Sequence, residues 1–182
     1  MQLFYRKKCI KSERGGQAPV IKPCMEEKRQ LTEKYFDMVY RLAFSQMKNS
    51  EQADDVVQEV FLRFIKNNKP FDTEEHIKAW LLRVTLNCCK NVFSSSWYKK
   101  TVPLSEREEG IHFDSIEKSE VYYAVSELPP KYRAVIHLFY YEDMSVEEIS
   151  KHLGINPSTI KSQLSRGRQI LSKKLKGRYD IV

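Results

Sequence analysis

Residues 145–171 constrain this chain more than any other stretch. Ser145-Val146-Glu147-Glu148 has the spacing of a capping box, in which the N-cap hydroxyl accepts from the amide three residues on and the glutamate there reaches back to the first amide. A helix therefore starts at Ser145, with Val146, Ile149 and Leu153 at i, i+3 and i+7 on its apolar face. Gly154 supplies the permissive backbone of a tight turn, Asn156 is placed to cap a following helix, and Pro157 suits that helix's first position. Two helices so joined make a helix-turn-helix. The second would bury Ile160, Leu164, Gly167 and Leu171 along one stripe, with Gly167 allowing a neighbour to approach closely. Ser158, Thr159, Lys161, Ser162, Ser165, Arg166, Arg168 and Gln169 then face outward. Short hydroxyls and long cations near a helix N-terminus read base edges in a major groove, and Lys173, Lys174, Lys176 and Arg178 further along suit phosphates. The bland alternative is a solvated face on an ordinary helical hairpin.

Charge argues against the bland alternative. The 182 residues hold 31 Lys and Arg against 24 Asp and Glu, a net +7 that favours a polyanionic partner. Residues 1–24 and 128–182 each carry +5, residues 101–127 carry −5, and residues 25–100 only +2. These values divide the chain into a basic, disordered arm (1–24), a helical domain (25–100), a flexible acidic linker (101–115) and a helix-turn-helix domain (116–178). The two folded units are expected to be small and separate. Two readings of the arm stand side by side: a basic tail adding nonspecific DNA affinity, or an extension preceding a natural start at Met25.

The fold class expected is all-α. In the first unit Leu31, Tyr35, Met38, Leu42 and Met47 recur at helical spacing up to Lys48-Asn49-Ser50. Ala53, Val57, Val60, Phe61 and Phe64 form the apolar face of a second helix, stopped by Asn67-Asn68-Lys69-Pro70. A third runs from about Thr73 through Ile77, Trp80, Leu81, Val84 and Cys88, fading at Ser94-Ser95-Ser96. Beyond the linker a helix covers Ile116 to Glu127, the next starts after Leu128-Pro129-Pro130 and reaches Tyr141, and two shorter helices complete the chain.

Several classes of function are excluded. No run approaches the ~18 apolar residues of a membrane span, and the N-terminal stretch lacks an apolar signal core, so a cytoplasmic protein without membrane insertion is expected. Cys9, Cys24, Cys88 and Cys89 match neither a disulfide framework nor a zinc spacing. His76, His112, His137 and His152 are scattered without ligand spacing, and no glycine-rich phosphate loop appears. No catalytic residue, metal or cofactor is expected, and the chain is not read as an enzyme.

Two further surfaces stand out in the first unit. On its second helix Asp55, Gln58, Glu59 and Leu62 fall at i, i+3, i+4 and i+7, an anionic and amide face around one leucine that would repel DNA and suit a basic protein groove. At the end of the third helix Asn87, Asn91, Ser94, Ser95, Ser96, Trp97, Tyr98, Lys99 and Lys100 combine amides, hydroxyls, aromatics and cations. Such groups hydrogen-bond unstacked bases, stack on them and track phosphates, as a single strand requires. Trp97 and Tyr98 serve either in that stacking or in anchoring the linker on the domain.

Together these stretches resemble the sigma factors of the extracytoplasmic-function (ECF) type. Leu128-Pro129-Pro130-Lys131-Tyr132-Arg133-Ala134-Val135, Tyr141-x-x-Met144-Ser145-x-x-Glu148-Ile149 and Thr159-Ile160-Lys161-Ser162-x-Leu164-x-Arg166-Gly167-Arg168 are similar to the family's promoter-reading domain. Ala53-Asp54-Asp55-Val56-Val57-Gln58-Glu59-Val60-Phe61-Leu62 resembles its polymerase-binding helix, and Trp80-Leu81-Leu82-Arg83-Val84-Thr85-Leu86-Asn87 the helix leading to its DNA-melting loop. The resemblance covers about residues 28–177. It implies docking on core RNA polymerase through Asp55, Gln58, Glu59 and Leu62. It implies reading of the minus-thirty-five element as duplex by Ser158, Thr159, Lys161, Ser162, Ser165, Arg166 and Arg168. It further implies capture of a melted minus-ten strand by Asn87, Asn91, Ser95, Trp97, Tyr98, Lys99 and Lys100, and control by an anti-sigma factor. The sequence departs from the family at Lys90, where an acid is common, and at Phe93-Ser94, near which members carry paired arginines. A rival reading is a stand-alone dimeric helix-turn-helix regulator of palindromic duplex.

Overall fold

A computed structural model describes residues 21–94 and 120–179, and among these the elements are seven helices. They are α1 (Met25–Met47), α2 (Ser50–Lys66), α3 (Glu74–Ser94), α4 (Glu120–Ser126), α5 (Pro130–Tyr140), α6 (Val146–Leu153) and α7 (Pro157–Tyr179). The expectations for residues 1–20, for Ser95 to Lys100, for the linker and for the first turn of the Ile116 helix lie outside the described residues.

Local chemistry sets most boundaries. Asn49 Oδ1 accepts from the Gln52 amide at 2.9 Å to start α2, and Lys48 takes the left-handed conformation (φ 60°) that lets the chain reverse after α1. Thr73 Oγ1 accepts from the His76 amide at 3.1 Å ahead of α3. The capping box at α6 is complete: the Ser145 amide donates to Glu148 Oε2 at 2.8 Å and the Glu148 amide to Ser145 Oγ at 3.2 Å. Gly154 closes α6 at φ 69°, a region costly for a side chain. Asn156 Oδ1 then accepts from the Ser158 amide at 2.9 Å and opens α7.

α7 corrects one expectation. In place of two short closing helices, only α6 is short; α7 runs 23 residues, because Gly167 does not break it and its apolar stripe continues through Ile170 and Leu171. The arm boundary shifts too. Ile21 and Phe71 pair as an antiparallel bridge, and the Cys24 amide donates to Glu27 Oε2 at 2.9 Å at the start of α1, so residues 21–24 belong to the first domain.

α1, α2 and α3 enclose a core in which Val39, Leu42, Val56, Val60, Phe64, Ile77, Leu81 and Leu82 are fully buried. Each such side chain contributes roughly 1.5–3 kcal/mol from its removal from water. Lys28 is buried, and its ammonium donates to the carbonyls of Ile65 (2.7 Å) and Asn67 (2.8 Å), completing the C-terminus of α2 from a neighbouring helix. In the second domain Leu128, Ile136, Leu138, Ile149, Ile160 and Leu164 form the core. Gly167 lets α7 lie against α5: a Cβ there would stand 3.1 Å from Ile136 Cγ1.

The two domains are not apart in this structure. α1 packs on α5 and α3 on α6, and their buried residues run into one another. Charge partition along the sequence carries no information on such docking.

Candidate nucleic-acid interface

All seven α7 residues proposed for duplex reading are exposed on one side of the helix. Ser158 Oγ is held by Asn156 Oδ1 at 2.8 Å, and Ser162 Oγ donates to the Ser158 carbonyl at 2.8 Å. Those two hydroxyls are therefore used at the helix start, while Thr159, Lys161 and Ser165 project from the same face. The arginines are braced from α5. Arg168 Nε donates to Tyr140 Oη at 2.9 Å, and its guanidinium lies over the rings of Phe139 and Tyr140 at 5.4 and 5.6 Å. Arg166 hydrogen-bonds to Tyr132, whose hydroxyl pKa is lowered, first by that bond and further by neighbouring Lys131. Such bracing reduces the rotamer entropy lost when a long cation engages a ligand. The sequence reading omitted Tyr132, Phe139 and Tyr140; their one signal is three aromatics spaced along a helix that precedes the helix-turn-helix. Of the later cations, Lys173 and Lys176 are exposed, whereas Lys174 is paired with Glu127 at 2.5 Å.

On α3, Asn87 and Asn91 are exposed one turn apart, with Lys90 beside them. Asn87 and Lys90 line a cavity of about 640 Å³ between the domains, whose other walls include Arg83, Lys131, Leu153 and Gln163. Ser95, Trp97, Tyr98, Lys99 and Lys100 lie outside the described residues, so the structure brings together only the asparagine pair of that set.

The α2 face is formed as expected. Asp55, Gln58, Glu59 and Leu62 are all exposed, Leu62 at 48%. Glu59 accepts from Arg63 Nε at 2.6 Å, an exposed pair of small energetic weight. Phe36 of α1, also exposed, stacks on Phe61 with ring centroids 6.1 Å apart and adds an aromatic at the α1–α2 seam that the sequence reading passed over.

The remaining titratable groups have structural roles. Cys88 and Cys89 are buried, and burial pushes the Cys89 thiol up to about 12, so both behave as small apolar residues. His137 is buried and stacks on Tyr141 at 5.3 Å. Among the described residues no group of His, Cys, Asp and Glu is arranged to hold a metal ion, and no helix is long and apolar enough to cross a membrane.

A three-helix domain with an exposed anionic helix face, packed on a helix-turn-helix domain whose last helix carries a row of exposed hydroxyls and cations, has the architecture of a two-domain DNA-binding protein. Comparison with known proteins makes this specific. Residues 31–98 match the Sigma-70 region 2 family and residues 118–171 the Sigma-70, region 4 family. The ECF RNA polymerase sigma factor SigM of Bacillus subtilis is 30% identical over 146 residues, 75% of this chain and 88% of its own length. The ECF RNA polymerase sigma factor SigE of Mycolicibacterium smegmatis is 30% identical over 152 residues, 78% of this chain, which spans 59% of that relative. The fold matches the sigma factor RpoE of Bartonella quintana, solved in complex with the anti-sigma factor NepR, at TM-score 0.66 and 22% identity over 84% of this chain and 98% of that one. The chain belongs to the ECF family of RNA polymerase sigma factors, proteins of transcription initiation.

Proposed function

We propose that this chain binds core RNA polymerase and directs initiation at promoters read in two parts. The α2 face of Asp55, Gln58, Glu59 and Leu62 meets polymerase. The α7 face of Ser158, Thr159, Lys161, Ser162, Ser165, Arg166 and Arg168 reads the minus-thirty-five element as duplex. Asn87 and Asn91, with Ser95, Trp97, Tyr98, Lys99 and Lys100, take the melted minus-ten strand. The exposed row on α7, with Arg166 and Arg168 braced by tyrosines of α5, carries this reading. It has the polarity and charge of a groove-reading helix on a unit that is otherwise well packed.

Action at polymerase and promoter places the protein in the cytoplasm. The named complex of RpoE with NepR supports an anti-sigma partner for this chain as well. Promoter-dependent transcription with purified core enzyme, with and without the protein, tests the proposal. Specific initiation only in its presence is expected. Tight binding to a palindromic duplex without polymerase, and no effect on initiation, would instead establish the stand-alone regulator.

A further inference from the structure

We propose that Tyr132 and Tyr140 of α5 contact DNA directly, each donating its hydroxyl proton to a phosphate oxygen, and that with Arg166 and Arg168 they form two clamps, one for each strand bordering the groove that α7 enters. The inference deepens the duplex reading of α7 above and rests on it for the identity of the ligand; the grouping of the residues rests on geometry.

The clamps follow from where α7 touches α5. At Gly167 the two helices lie so close that a Cβ would stand 3.1 Å from Ile136 Cγ1 and 3.6 Å from Tyr132 Cβ. At 3.6 residues per turn Arg166 and Arg168 leave α7 about 200° apart, one on either flank of that contact. Each meets a tyrosine of α5. On one flank Arg166 hydrogen-bonds to Tyr132, and the Lys131 ammonium lies 4.9 Å from the same ring. On the other Arg168 Nε donates to Tyr140 Oη at 2.9 Å, with the guanidinium over the rings of Phe139 and Tyr140.

Both clusters have the chemistry of an oxyanion site. In each a phenol oxygen accepts from a cation, so its own proton is left to donate, and among the described residues no acceptor takes it. The bond from Arg166 lowers the Tyr132 pKa, which strengthens that O–H as a donor. Arg168 spends Nε on Tyr140 and keeps its two terminal nitrogens for a ligand. Tyr140, Lys131, Arg166 and Arg168 are all exposed, so a phosphodiester reaches these donors without rearrangement.

This geometry argues against base reading by the two arginines. A bidentate pair with guanine needs a guanidinium extended to the groove floor, whereas Arg168 folds back on the rings of α5. A helix in a major groove about 12 Å wide has a phosphate strand along each flank. The clamps therefore set register and depth, and discrimination falls to residues between them on α7, such as Lys161 and Ser165.

Replacement of single phosphates tests the clamps. The full-length protein with core polymerase is bound to promoter duplexes carrying one uncharged methylphosphonate at successive positions around the minus-thirty-five element. Tyr132→Phe and Tyr140→Phe keep the rings, and each should weaken binding roughly threefold to tenfold, by the same factor on the native promoter and on one with a substituted minus-thirty-five element. Arg166→Gln and Arg168→Gln should each lower the slope of log affinity against log salt by about one and leave that discrimination unchanged. The loss from each tyrosine variant should vanish at one methylphosphonate position, the two positions lying on opposite strands. Losses that persist at every position, tyrosine variants that bind like native, or discrimination that falls with Arg168→Gln would overturn the clamps. Failure of the reading itself looks different: a native protein that binds both promoters equally, with the losses still cancelled at two positions, upholds the clamps and removes base reading from α7.

Discussion

At the residue scale, long cations finish structures that begin elsewhere in the sequence. Lys28 is the clearest case: its ammonium sits on the last carbonyls of α2, out of water. Lys28→Met keeps the bulk and removes the donor, and should lower unfolding free energy by ~1 kcal/mol in urea denaturation, since two partly buried backbone acceptors lose a charged donor. Gly167→Val should cost ~1–3 kcal/mol by the same measurement, because the added atoms meet Ile136. The approach at Gly167 was legible in the sequence, where a lone glycine interrupts an apolar stripe. The role of Lys28 was not, since its acceptors lie 37 and 39 positions away and a lysine in a first turn reads as solvated. The same holds for Arg168: its place on the reading helix follows from periodicity, but its bond to Tyr140, 28 positions earlier, exists only once α5 and α7 have packed. Lys161→Ala, free of such bracing, should weaken minus-thirty-five-dependent initiation by ~1–3 kcal/mol if the lysine meets a base, read as the loss of discrimination between native and mutated promoters.

At the scale of elements, helix starts were legible wherever capping is local. Ser145 with Glu148, Asn156 with Pro157, and the turn at Lys48-Asn49 all act within three residues, and each stands where the sequence put it. Ser145→Ala should cost α6 ~1 kcal/mol, measurable as a lower thermal midpoint. What the sequence could not show was pairing across distance. The bridge between Ile21 and Phe71 depends on the α1–α2 hairpin folding the chain back on itself, so residues 21–24 read as arm although they are part of the first domain. The last helix was expected to be short although its stripe already ran through Gly167 to Leu171; it continues to Tyr179, and packing on α5 outweighs the propensity loss of one glycine.

For the molecule as a whole, the proposed function assigns the acidic face of α2 to polymerase and the basic face of α7 to DNA. Charge reversal at Asp55 or Glu59 should leave the fold intact, because both side chains are exposed, and should weaken competition for core polymerase in a binding assay. Docking of the two domains also brings a titration with it. His152 is buried against α3, where desolvation, and then the charge of Lys78, push its pKa below the ordinary 6.5, partly opposed by Glu75 and Glu148. The neutral imidazole therefore suits the docked state. Its contribution is present above about pH 6.5 and fades as pH falls, when the undocked imidazole takes up a proton, so the scattering radius should grow on acidification from pH 7.5 to 6. His152→Asn should flatten that dependence.

Arg83 of α3 donates to the carbonyl of His152 in the last turn of α6, and Arg133 of α5 to that of Gln46 in the last turn of α1, so the docking of the two domains has a clock as well as a shape. Separation of the domains strips the last-turn carbonyls of α6 and α1 of their donors, and a helix end deprived of such partners frays. Backbone amides in the last turns of α1 and α6 should then exchange with deuterium together, at a common rate set by opening, while those of the α1–α2–α3 core exchange far more slowly.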